Sequence, residues 1–206
     1  NSVISFANLV VQTNINSFGS AAMAGCGATS KIEGFAFLPV TCFSMALSTF
    51  VGQNLGAHKH DRVRKGVGFA IACSCIMAEL IGIVSYIYAP QLIGFFNDSP
   101  EVVSFGTQHM RVMSLFYCLL AFSHCMAGIM RGAGKAMVPM VTMLACWCVF
   151  RVTYITIAVK LVNQLTTVSW AYPLTWSCSS IIFLIYFLKA DWIHNFDRLE
   201  AQGKTI

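Results

Sequence analysis

The chain has 206 residues, of which 57% are hydrophobic and only 10% charged, with a net charge of +5. A soluble domain carries about 25% charged residues to cover its water-facing surface, so a globule of this composition would expose large apolar patches and aggregate. With lipid as the outer solvent that objection disappears, and a mean hydropathy of +0.69 points to an integral membrane protein.

A run of about 20 apolar residues can span a bilayer. Six such runs occur, at approximately 1–18, 32–54, 67–89, 102–128, 137–159 and 168–188, followed by a tail at 189–206. The expected fold class is therefore an all-α membrane protein, a six-transmembrane-helix bundle. The first run is unusually polar. Asn8 and Gln12 are four residues apart and share a helix face, Asn16 continues that face, and Asn14 lies beside it. Such a stripe faces either a water-filled cavity or another helix. The run opens on Asn1 without a basic flank, so the chain is read as a fragment whose preceding part is missing.

Residues 19–31 are read as an outer connection. Glu33 follows, in Lys31-Ile32-Glu33-Gly34, where a carboxylate in the first turn of a helix complements the helix dipole. Pro39 and Pro173 fall inside the second and sixth spans and are expected to kink them. Glu79, Arg111 and Arg151 sit deep in the third, fourth and fifth spans. At 1.5 Å per residue each lies roughly 12–15 Å from the nearer end. A charge at that depth costs at least about 2.5 kcal/mol, so it faces a partner or a cavity. Glu79 and Arg151 fall at similar depth. They form either a structural ion pair or a proton- or substrate-responsive site.

His109 and His124 lie on the fourth span, too far apart in sequence to share a metal, and His58 and His60 are read as part of a solvated basic loop. The nine cysteines lie mostly within apolar runs, where free Cys behaves as a small hydrophobe. The Cys73/Cys75 and Cys146/Cys148 pairs lack histidines at zinc spacing. No disulfide framework, metal site or cofactor is expected. No G-x-S-x-G, H-E-x-x-H or P-loop pattern is present, so no catalytic residue is assigned.

The basic residues set the orientation. Lys59, Arg62, Arg64, Lys65, Arg131, Lys135, Lys189, Arg198 and Lys204 fall on one set of connections, against Lys31 and Lys160 on the other. That asymmetry places the first set and the tail in the cytoplasm, and a charge arranged this way needs no nucleic-acid partner.

Two of the cytoplasmic ends carry motifs. The second span ends Ser48-Thr49-Phe50-Val51-Gly52-Gln53-Asn54-Leu55-Gly56-Ala57, followed by Arg62-Val63-Arg64-Lys65-Gly66. The fourth ends Met130-Arg131-Gly132-Ala133-Gly134-Lys135, with Pro139 and Arg151 beyond. Gly52 and Gly56 are read as close-approach and exit positions, with Gln53 and Asn54 satisfying orphan carbonyls. Gly132 and Gly134 are read in the same way, beside Arg131. Together with the Ile32-Glu33-Gly34-Phe35 opening and Pro39, the chain resembles the carboxy-terminal lobe of the multidrug and toxic compound extrusion (MATE) family over essentially its whole length.

The resemblance implies one lobe of a twelve-helix antiporter that faces a missing amino-terminal lobe across a central cavity. It also implies Na⁺- or H⁺-coupled export of small amphipathic, often cationic drugs by alternating access. The setting would be the inner (plasma) membrane, multi-pass, with the lipid bilayer as partner. Asn8, Gln12, Asn16, Glu33, Glu79, Arg111 and Arg151 are the cavity candidates; Gly52, Gln53, Asn54, Gly56, Arg131, Gly132 and Gly134 are the gate candidates. The first and fourth helices of this lobe lack the carboxylates that some family members use for cations. Coupling then falls to the missing lobe, Glu79 or Glu33. The alternative is a self-contained six-helix channel or membrane scaffold. Such a protein would close its own polar face, which an isolated lobe would leave open.

Overall fold

The computed structural model describes residues 2–202, leaving Asn1 and Lys204 outside the described residues. The helices are α1 Ser2–Asn16, α2 Ser20–Ala36, α3 Leu38–Gly56, α4 His60–Ile87, α5 Ala89–Gly94, α6 Pro100–Ser114, α7 Tyr117–Gly132 and α8 Met137–Met143. A π-type stretch, Leu144–Phe150, leads into α9 Arg151–Leu161, and α10 Leu165–Ser169, α11 Ala171–Lys189 and α12 Asn195–Ala201 complete the chain. Four runs are long and apolar enough to cross a membrane: Ser20–Gly56, His60–Ile87, Met137–Leu161 and Leu165–Lys189. The pair α6–α7, bent by 54°, makes a fifth. The remaining expected span corresponds to α1, whose 15 residues are shorter than that length.

Residues 19–31 are not a loop. They open α2, which runs on into α3 with a joint at Phe37, where Pro39 occupies the first turn of α3. The segment is rich in Ala, Ser and Gly, so its hydropathy is low, but small residues are what allow membrane helices to approach closely. A Cβ on Gly25 would lie 2.6 Å from the backbone nitrogen of Gly106, so α2 lies almost backbone-to-backbone on α6. Pro173 likewise stands just inside α11, after a break from α10 at Trp170.

Helix α7 is the centre of the bundle and packs on α3, α4 and α11. Its buried Met126, Ile129 and Met130 meet Leu47, Val51 and Leu55 of α3, Val63 and Val67 of α4 and Phe183 of α11. The outer faces carry exposed Phe69, Ile76, Leu80, Val149 and Leu188, an apolar exterior suited to lipid.

The segment after α11 is more than a solvated tail. Trp192 and Phe196 join the core around α7, and Asn195 Nδ2 donates to Ala133 O at 2.8 Å. α12 therefore sits on the end of α7, beside the α3–α4 connection. Both neighbouring helix ends close with a left-handed residue. Lys135 N donates to Met130 O past Gly134 (φ 74°), and Lys59 N donates to Asn54 O past His58 (φ 54°), each at 2.8 Å. This is the ordinary helix stop, but the second uses a residue with a side chain.

Candidate functional site

A cavity of about 260 Å³ opens between α1, α2, α3, α7, α9, α11 and the π-type stretch, lined by Asn8, Glu33, His124, Trp147, Arg151 and Tyr172 among others. Its polar centre is Arg151, which is 2% exposed. The guanidinium lies 5.2 Å from the Trp147 ring centroid and 4.6 Å from that of Tyr172, within cation–π range. Nη1 donates to Asn8 Oδ1 at 3.3 Å and Nε to Thr175 Oγ1 at 3.4 Å. Nη2 is buried without a hydrogen-bond partner. The wider winding of the π-type stretch shifts the helix phase just ahead of Arg151. Such insertions are frequent at functional sites.

Glu33 is the carboxylate of this cavity. It lies near the end of α2, not in a first turn, so the helix-dipole expectation is corrected. It is 8% exposed, and Oε1 accepts a hydrogen bond from Tyr117 Oη at 3.0 Å. Phe37 stacks edge-on against Tyr117 and Trp176, so the carboxylate sits in an aromatic wall.

The remaining candidates separate. Glu79 lines no part of this cavity and does not meet Arg151. Its Oε2 accepts from Cys118 N at 3.1 Å, capping the start of α7 where α6 and α7 bend apart. Arg111 is exposed on the outer surface, with Nε donating to Tyr86 O at 3.3 Å and the guanidinium over the Tyr86 ring. Asn8, Gln12 and Asn16 are all exposed along one side of α1. Only Asn8 reaches Arg151, while Gln12 Nε2 bonds Asn16 Oδ1 at 3.0 Å. Trp147, Tyr172, Trp176 and His124 also line the cavity and are not site candidates in the sequence. Aromatic residues are common throughout a membrane chain, and nothing in their spacing marks these four.

At the basic end the gate candidates divide by role. A Cβ on Gly132 would collide with Ser48 O, so α3 and α7 touch there. Gly52 is looser, with Gly132 O at 3.4 Å, and Gly56 has open space around it. Gly56, the last residue of α3, stands at the helix exit and not at a close approach. Asn54 Nδ2 donates at 2.7 Å to Phe50 O, a carbonyl inside α3 and not one of the orphan carbonyls at its end. Gln53 is exposed. Arg131 turns back along the seam, Nη2 donating to Ser44 Oγ at 3.0 Å. His58 and His60 are not simply solvated, because both meet Asp197 of α12.

Similarity to known proteins agrees with this architecture. The chain is 25% identical over 149 residues to the Probable multidrug resistance protein YpnP of Bacillus subtilis, covering 72% of this chain and 34% of that protein. It is 26% identical over 146 residues to the Probable multidrug resistance protein NorM of Thermotoga maritima, covering 70% and 30% respectively. The crystal structure of MATE in the bent conformation superposes with a TM-score of 0.85 at 19% identity, over 92% of this chain and 43% of that one, which establishes the shared fold. The chain thus spans about a third of the length of these curated relatives. The MatE family model matches residues 1–157, and the chain belongs to this family, the MATE membrane transporters.

Proposed function

We propose that this chain forms one lobe of a cation-coupled multidrug exporter that works by alternating access against an amino-terminal lobe. The observation that carries the reading is Glu33, a buried carboxylate in an aromatic cavity that also holds Arg151. An ionisable group at this depth is tolerated only with a matching charge, donor or proton. In the proposed cycle, Glu33 is where the coupling ion (H⁺ or Na⁺) and a substrate's cationic group compete. Arg151 supplies the opposing charge when Glu33 is vacated, and Trp147, Tyr172 and Trp176 stack on flat apolar rings. The bend between α6 and α7 and the π-type stretch give the lobe places to flex. The polar side of α1, exposed at Asn8, Gln12 and Asn16, is the surface that meets the other lobe. In this reading the basic end, with α12, faces the cytoplasm from the inner membrane.

The test is ethidium efflux from drug-sensitive cells expressing the chain alone, the chain fused to its matching upstream half, and the fusion carrying Glu33→Gln. Efflux is expected from the fusion only, with its dependence on the pH or sodium gradient lost in Glu33→Gln. A Glu33→Gln fusion that keeps gradient-dependent efflux moves coupling to the other lobe. Efflux from neither form, with both stably inserted, favours a self-contained channel or scaffold.

A further inference from the structure

The transport cavity leaves unexplained a cluster of side chains where α12 meets the α3–α4 connection. His58, His60 and Asp197 each present one ligand-type atom there, all within 4.8 Å of one another. His58 Nδ1 lies 2.8 Å from Asp197 Oδ1, and His60 Nε2 lies 3.3 Å from Asp197 Oδ2. Donor atoms bound at 2.0–2.2 Å around a tetrahedral ion are separated by about 3.4 Å, so the three atoms lie near enough for one ion to draw them together through side-chain rotation. The His60 contact is not a hydrogen bond, and its Nε2 is buried without a partner. It is a ring nitrogen held 3.3 Å from a carboxylate oxygen without the alignment of a hydrogen bond.

A second observation concerns the backbone. His58 is the one non-glycine residue with positive φ among those described. At the equivalent stop of α7 the chain uses Gly134. A side chain in the left-handed region costs roughly 1–2 kcal/mol, and such outliers cluster at functional sites. Here the conformation swings the imidazole of His58 toward α12.

We propose that His58, His60 and Asp197 form a binding site for a divalent transition-metal ion of the zinc class, which fastens α12 to the α3–α4 connection. Imidazole nitrogen with a carboxylate is the donor set that suits zinc. On binding, the proton between His58 Nδ1 and Asp197 leaves Nδ1. Nε2 then carries the proton and faces Glu200 Oε2, at 3.5 Å, an outer-shell acceptor that fixes the ring. The ion completes its shell with water. His194, whose ring centroid is 5.0 Å from that of His60, borders the site. Lys59, Arg62 and Arg64 line the cleft beside it together with Asp61, and Asp61, Asp197 and Glu200 offset their charge. The inference stands apart from the transport reading.

The experiment is a titration of the intact, tag-free protein in detergent, stripped of metal, with ZnCl₂ by calorimetry and with CoCl₂ by visible absorption. One equivalent of Zn²⁺ is expected to bind. Affinity should fall by about 10- to 100-fold or more in His60→Ala and Asp197→Asn, the loss seen even for outer-shell partners. Co²⁺ should give the d–d bands of a low-coordinate nitrogen–oxygen site, and Zn²⁺ should slow tryptic cleavage at Arg198. Because either variant could disturb the docking of α12, His58→Gly is measured alongside, since it suits the left-handed backbone and removes only a ligand. Stoichiometric binding that persists unchanged in His58→Gly and His60→Ala, or no binding by the folded wild type, overturns the site.

Discussion

Replacing Gly132 by Ala tests the packing argument most directly. Along the α3–α7 seam a methyl at this position would meet the carbonyl oxygen of Ser48 and lie 2.9 Å from Val51 Cβ and 3.1 Å from the Ser48 carbonyl carbon. None of these is the free end of a flexible side chain, so the two helices have to part. Overpacking of this kind costs about 1–3 kcal/mol. Removing a helix glycine returns about 0.5–1 kcal/mol through lost unfolded-state freedom. The net expectation is a loss of about 1–2 kcal/mol, or a Tm lowered by roughly 2–8 °C for a chain of this size. Gly68→Ala on α4 is the control: a Cβ there meets nothing within 4 Å, so only the favourable backbone contribution remains. Both variants are to be purified in detergent and unfolded thermally, followed by tryptophan fluorescence. If Gly132→Ala melts at or above wild type, as Gly68→Ala should, then α3 and α7 are not in backbone contact and the reasoning fails.

Two further outcomes separate roles that depth alone would merge. Glu79→Ala should cost about 0.5–2 kcal/mol, the usual loss for a helix cap, while leaving the gradient dependence of efflux intact; a change in coupling would return Glu79 to the transport machinery. Asn195→Ala leaves Ala133 O without its donor and should cost about 1–3 kcal/mol. The signature to look for is faster backbone hydrogen exchange across 191–201, with the transmembrane helices unchanged.

How much of the site was legible follows from the distances over which each clue acts. The depth of Arg151 marked it as a residue needing a partner, since the cost of a charge in lipid depends on depth along one helix. Its partners could not be read the same way. Glu79 lies at a similar depth, but the structure gives it to Cys118 N, while Arg151 goes to Asn8, Thr175, Trp147 and Tyr172. Rotational phase decides such pairings, and the π-type stretch resets the phase just before Arg151. Glu33 was visible as a carboxylate, but its burial depended on α2 being a helix. A segment of Ala, Gly and Ser has neither the hydropathy of a span nor the turn residues of a loop.

Composition alone was enough to require a lipid solvent, because too few charges exist to cover a globule in water. The alternation of basic residues defined one end of the bundle, and the Gly52–Gly56 and Arg131–Gly134 motifs carried the family. Those properties are summed or local, so they survive without coordinates. The cavity around Arg151, the cap on α7 and the meeting of His58 and His60 with Asp197 belong to the tertiary structure. Each joins residues far apart in the chain, His58 and Asp197 being separated by 139 in sequence, and their closeness is set by helix phase and docking, which no single segment encodes.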